Sequence, residues 1–185
     1  MKIKRMIKKF LKRDNGDSER IYLETHGFVH GKNYHCYSSC AIDANFPWLI
    51  SVGDNVMIST NVKLLAHDAS TGYVNGGYTK IGRIVVGNNV FIGSGSIVLC
   101  NTKIGDNVII GSNSVVTKDL ESNGVYAGNP AKLICTMSEF CRKHEENLKS
   151  HPVFTERSWD DWKNASQSEW EEMKNRLEDT FGYVH

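Results

Sequence analysis

A chain of 185 residues that is 40% apolar and 23% charged can bury one substantial core, and its composition is not that of a disordered protein. The formal charge of +1 hides an uneven distribution: residues 1–13 carry seven basic side chains and no acid, leaving −6 on the rest, so nothing indicates nucleic-acid binding. Five cysteines, at 36, 40, 100, 135 and 141, form no CxxC pair, no zinc-finger spacing and no even disulfide framework, which suits a reducing cytoplasm.

The N-terminal MKIKRMIKKFLKR threads its charges through its apolar residues and therefore lacks the apolar run of a signal peptide. As a helix it places Ile3, Met6, Ile7, Phe10 and Leu11 on one side and basic residues on the other. Such a helix could lie on an anionic membrane surface or cap the end of a repeat. No stretch is long enough to span a bilayer.

Beyond residue 25 the main signal is self-similarity. Aliphatic residues recur every sixth position at Val52, Ile58 and Leu64, and again at Val86, Ile92, Val98, Ile104, Ile110 and Val116. The next position is often small, as at Gly53, Ser59, Gly87, Gly93, Gly105 and Gly111. Four residues after each anchor come Val56, Val62, Val90, Ser96, Thr102, Val108 and Ser114, so both the anchor and this second column are expected to face inward. The frame extends back through His30, Cys36 and Ile42 if four residues are inserted before Val52, making twelve hexads. A sixfold register is neither helical nor the period-two alternation of a β-sandwich. It predicts short strands with tight Gly and Asn corners, stacked to bury an interior that no single copy could bury.

Between Leu64 and Val86 the register jumps, and DASTGYVNGGYTKIGR (68–83) reads as a loop extruded from the repeat. After Val116 the segment through Ile134 leaves the repeat with Gly and Pro punctuation. Residues 137–180 are helical in pattern, with capping boxes at Ser158 to Asp161 and Ser166 to Glu169 and a packing face of Trp159, Trp162, Trp170, Met173 and Leu177. The expected division is 1–25 for the basic helix and linker, 26–135 for the repeat domain, and 136–185 for a helical extension.

The segments ISVGDNV, AHD, VVGNNVFIG, IIGSNSVVTKD and AGNPAK, spread from Ile50 to Ile134, resemble the galactoside, maltose and polysaccharide O-acetyltransferases of the hexapeptide-repeat class. This resemblance implies a left-handed parallel β-helix of about four coils, a homotrimer with coenzyme A sites between subunits, and acetyl-CoA as co-substrate with no metal. It also implies a saccharide acceptor, as in surface-polysaccharide synthesis. Cysteine usage makes the expected location cytoplasmic, and residues 1–13 could bring the protein to the inner membrane face, where a lipid-linked acceptor would be found. The family's general base matches His67, and imidazole suits removal of a hydroxyl proton near neutral pH. Its coenzyme contacts carry over to Ser94, Ser112, Thr117, Lys118 and Lys132. Phe91 stands where relatives often have Trp, and CNTKIG replaces their usual corner.

Asp43, Asn45 and Trp48, before the second coil, and Tyr73 and Tyr78, in the loop, are polar or aromatic groups suited to holding a sugar. Asp68, beside His67, reads as a turn residue. Three other readings stay open: transfer to an amino sugar or to serine, a non-catalytic trimeric scaffold, and a metalloenzyme resembling the gamma-class carbonic anhydrases. The metal reading is weakened because His30 falls in an inward column and His35 in an outward one.

Overall fold

The computed structural model describes residues 16–37, 39–74 and 76–184, so the basic segment 1–13 lies outside the described residues. The chain forms two compact units, one through Met137 and one from Ser138.

The first unit is a left-handed parallel β-helix. Coil one comprises β1 (Val29–His30), β2 (His35–Cys36) and β3 (Ala41–Ile42); coil two, β4 (Ile50–Val52), β5 (Met57–Ile58) and β6 (Lys63–Leu65). An antiparallel pair, β7 (His67–Asp68) with β8 (Lys80–Ile81), forms the neck of the extruded loop. Coil three is β9 (Ile84–Val86), β10 (Val90–Ile92) and β11 (Ile97–Leu99). Coil four is β12 (Thr102–Ile104), β13 (Val108–Ile110) and β14 (Val115–Val116). Corresponding strands stack into three sheets, which we call the first, second and third faces.

The register explains the hexads. Val86 lies on Ile104, Ile92 on Ile110 and Val98 on Val116, so each anchor sits on the anchor one coil away. These side chains are buried: Ile58, Ile92, Val98, Ile110 and Val116 have no exposed surface. Each contributes roughly 1.5–3 kcal/mol of transfer free energy. The second column is buried as well, including Ser96 and Ser114. Their hydroxyls donate to the Gly111 carbonyl at 2.9 and 2.6 Å, so the polar atoms inside the coil are satisfied.

Corners need backbone in the left-handed region. At the edge between the first and second faces that requirement is met by Asn33, Asn55, Asn89, Asn107 and Asn123, with φ between 55° and 63°. Their side-chain amides form a ladder, each Nδ2 donating to the next Oδ1 at 2.9–3.0 Å. Glycine at the neighbouring position answers close approach instead, since a Cβ on Gly87 would lie 2.8 Å from the Gly105 carbonyl carbon.

Both ends differ from expectation. Residues 14–25, read as linker, contain helix α1 (Gly16–Thr25), whose Leu23 joins the core at this end together with Phe28 just beyond it, while the expected capping helix 1–13 lies outside the described residues. His30 lies between the Gly31 carbonyl at 2.9 Å and the Glu24 carboxylate at 3.0 Å and stacks on Tyr34, whose phenol burial pushes above its ordinary range. At the other end the repeat continues into a partial fifth turn. Leu120 bridges to Ile104, and β15 (Gly124–Ala127) pairs with β13 before β16 (Lys132–Thr136) returns antiparallel and closes the sheet. Cysteines left unpaired by the spacing argument also meet, because Cys36 and Cys40 flank one corner and are joined as a disulfide.

The second unit holds most of α2 (Met137–Ser150), the parallel pair β17 (Val153–Phe154) and β18 (Tyr183–Val184), and α3 (Gln167–Arg176). The Ser166 capping box is present, and Ser166 followed by Arg157 holds the Glu169 carboxyl down to about 2. The Ser158 box is not: its hydroxyl donates to Asp160 in a turn. Trp159 is 60% exposed rather than part of a packing face. Trp170 donates from its indole to the Trp162 carbonyl.

Asn89→Ala places a Cβ residue in the left-handed region and removes two rungs of the ladder. It is expected to cost about 2 kcal/mol in denaturant unfolding, and Asn89→Gly, which keeps the conformation, about 1 kcal/mol.

Candidate active site

His67 stands three residues past the inward Leu64, at the edge between the third and first faces, with 29% of its side chain exposed. Ala66 before it is fully buried, and its carbonyl accepts the Gly82 amide at 3.0 Å where the loop rejoins the coil. The loop therefore leaves and returns at the histidine, which is held on framework.

Directly across the coil boundary lies Asp43. It follows the inward Ile42, and its amide donates to the Leu64 carbonyl at 3.0 Å, so the ladder of the third face carries it to His67. Its side chain is 2% exposed. One carboxylate oxygen accepts the Asn45 amide at 3.1 Å, and the other accepts a hydrogen bond from His67 Nδ1 at 2.5 Å. With the proton held at Nδ1, the neutral ring keeps its lone pair on Nε2, and the buried carboxylate is placed to stabilise a charged ring. This differs from the expectation for Asp43 as an exposed acceptor contact: its side chain is buried behind the histidine.

Asp68 is the turn residue expected. Its carboxylate caps the short helix Ala69–Tyr73 by accepting the Ser70 amide and hydroxyl, and the hydroxyl chiefly holds its carboxyl below the usual range.

Other proposed contacts spread over the unit. Asn45 and Trp48 are exposed beside the dyad in the segment before coil two, with Phe46 between them 5.5 Å from the His67 ring. Tyr73 and Tyr78 are 94% and 75% exposed on the loop. Thr117 and Lys118 are exposed on the same edge as His67, two coils on, and Lys132 is exposed at the start of β16. Ser94 and Ser112 stand on a different edge, between the second and third faces. The Ser94 hydroxyl is engaged with Ser59 at 2.7 Å and Thr60 at 3.1 Å. One copy of the chain therefore does not bring the coenzyme residues together. Among the described residues no three His, Cys, Asp or Glu side chains gather as a metal site, and no helix is long and apolar enough to cross a membrane.

The position of Asp43 beside His67 was not apparent from spacing alone. The signal that could have found it is the register between Ile42 and Leu64, which places Asp43 under the chain leading to His67.

Comparison with known proteins agrees with this architecture. Residues 83–118 match the family model described as bacterial transferase hexapeptide (six repeats). Protein CapG of Staphylococcus aureus is 48% identical over 104 residues, 55% of this chain and 60% of that protein. The chain thus spans about three fifths of the length of such relatives. Among solved structures, a maltose O-acetyltransferase from Clostridium difficile 630 is 28% identical with a TM-score of 0.53, over 72% of this chain and 83% of that one. A galactoside acetyltransferase in complex with coenzyme A is 25% identical with a TM-score of 0.54, over 75% and 80%. The chain carries the hexapeptide-repeat β-helix, and in sequence and fold it is similar to the acetyltransferases of that repeat class, the maltose and galactoside enzymes among them.

Proposed function

We propose that the chain is an acetyl-CoA-dependent O-acetyltransferase acting on a saccharide hydroxyl, with His67 as general base. The observation that carries this reading is the buried Asp43 carboxylate on Nδ1 of the part-exposed His67, which leaves Nε2 as the basic nitrogen. The resemblance to maltose and galactoside acetyltransferases supports the substrate class, and the coenzyme A complex of the latter supports the donor.

In this mechanism Nε2 takes the proton of the acceptor hydroxyl as its oxygen attacks the thioester carbonyl. A C–O bond forms, the C–S bond breaks, and the imidazolium returns the proton to the leaving thiolate. Asp43 holds the ring in the required tautomer and stabilises its charged form. A base of this kind contributes roughly 10²- to 10⁴-fold. Asn45 and the open face of Trp48, with Tyr73 and Tyr78 of the loop, supply hydrogen bonds and apolar surface for a sugar ring. Thr117, Lys118 and Lys132 present a hydroxyl and two cations suited to pantetheine and phosphate.

Because Ser94 and Ser112 occupy another edge, a coenzyme site that also uses Thr117 and Lys118 takes one edge from each of two copies. That supports a homotrimer. Residues 1–13, with their seven basic side chains, would hold it peripherally at the cytoplasmic membrane face near a lipid-linked acceptor.

Thiol release from acetyl-CoA over a panel of sugars, nucleotide-sugars and amino acids tests the reading. His67→Ala is expected to lower kcat by about 100-fold or more with coenzyme binding kept, and Asp43→Asn by a comparable factor. Equal turnover in wild type and His67→Ala would remove the histidine from the mechanism. Sedimentation analysis should give a trimer, and a monomer that turns over normally would contradict the two-edge site.

A further inference from the structure

Coil one and coil two are offset by four residues more than coil three and coil four, and the extra residues lie between Ile42 and Ile50. That short insertion is a built element. Phe46 accepts the Leu49 amide at 3.0 Å through its carbonyl and donates to the Asp43 carbonyl at 3.4 Å. Buried Pro47 starts a single helical turn, Pro47–Leu49. The Trp48 ring meets Phe46 edge-on at 5.7 Å, and its Cβ is pressed so close to Gly27 that a Cβ there would lie 2.9 Å away. Phe46 itself is half-buried against the core. Its ring centre is 5.5 Å from that of His67, inclined at 51°.

A hydrogen bond at Nδ1 fixes the tautomer and one vertex of the imidazole. It leaves the ring able to rock about the Nδ1 to Asp43 line, which would sweep Nε2 sideways. A misplacement of about 1 Å at a reacting atom can cost on the order of 10²-fold in rate. A second contact, from an aromatic ring inclined against the imidazole, restricts that freedom. We propose that Phe46 is this contact: a positioning residue that orients the imidazole, so that the insertion is a clamp delivering both the Asp43 carboxylate and the Phe46 ring to His67. The proposal rests on His67 acting as the base. It gives Phe46 no contact with substrate.

The test compares full-length wild type, Phe46→Leu and Phe46→Tyr by steady-state kinetics and by NMR of the His67 ring. Phe46→Leu, which fills much of the volume without a flat face, is expected to lower kcat roughly threefold to tenfold, the range of an aromatic pair contact, with KM for acetyl-CoA unchanged. The His67 ring should become more mobile, read as lower order of its C–H vectors by ¹³C relaxation, while the Nδ1 proton stays bonded to Asp43. Phe46→Tyr should restore kcat to within about twofold and the order of the His67 ring to near its wild-type value. Unchanged kcat and unchanged order of the His67 ring in Phe46→Leu would overturn the clamp, as would a tyrosine variant as impaired as the leucine one. If the leucine variant does not fold, Phe46→Met takes its place with the same expectations. If wild type transfers acetyl to no acceptor, the functional reading fails by itself. The order of the His67 ring then decides the clamp: order lost with leucine and recovered with tyrosine supports it, and no change overturns it.

Discussion

Everything in the first unit depends on one constraint, the alignment of each strand on its counterpart one coil away at the parallel-strand spacing of about 4.8 Å. The inward columns exist because Val86 must meet Ile104 and Ile92 must meet Ile110. The same alignment makes the asparagine ladder possible, since identical amides repeat at a distance that lets each donate to the next. It also makes the dyad. Asp43 and His67 are 24 residues apart and touch only because the amide of Asp43 is a rung on Leu64.

Departures from the six-residue repeat are confined to one edge. Between the third and first faces coil one gains four residues, coil two gains sixteen, and the step from Val116 to Leu120 is two residues short. The other two edges keep their spacing, so the sheets stack without interruption while this edge accumulates variation. His67, Asp43, Phe46, Trp48, the long loop, Thr117 and Lys118 all belong to it. A rigid scaffold with irregularity along one line is the arrangement expected where function is carried on connections.

The repeat was legible because burial is strict. Anchors at Ile58, Leu64, Ile92, Val98, Ile104 and Ile110 are fully buried, where an unpaired polar group would be costly, so their apolar period is readable in the chain. The partial fifth turn was not, since the shortened corner puts Leu120 four residues after Val116 and breaks the count. Asp43 was read as a sugar contact because it sits in an insertion, and only stacking reveals that it is buried behind His67. The packing of Leu23 into the core and the Cys36–Cys40 bond are likewise tertiary facts, settled by which groups the end coil brings near each other. In the second unit, the helical pattern around Ser158 and Trp159 gave way to a turn, where a serine bonds locally instead of capping.

The most direct measurement is the protonation of His67 at neutral pH, read by ¹⁵N NMR of selectively labelled protein. The account predicts a protonated Nδ1 and a bare Nε2, with the proton moving to Nε2 when Asp43 is replaced by alanine. A wild-type ring that carries its proton on Nε2 would contradict it, because the atom that must accept the hydroxyl proton would already be occupied.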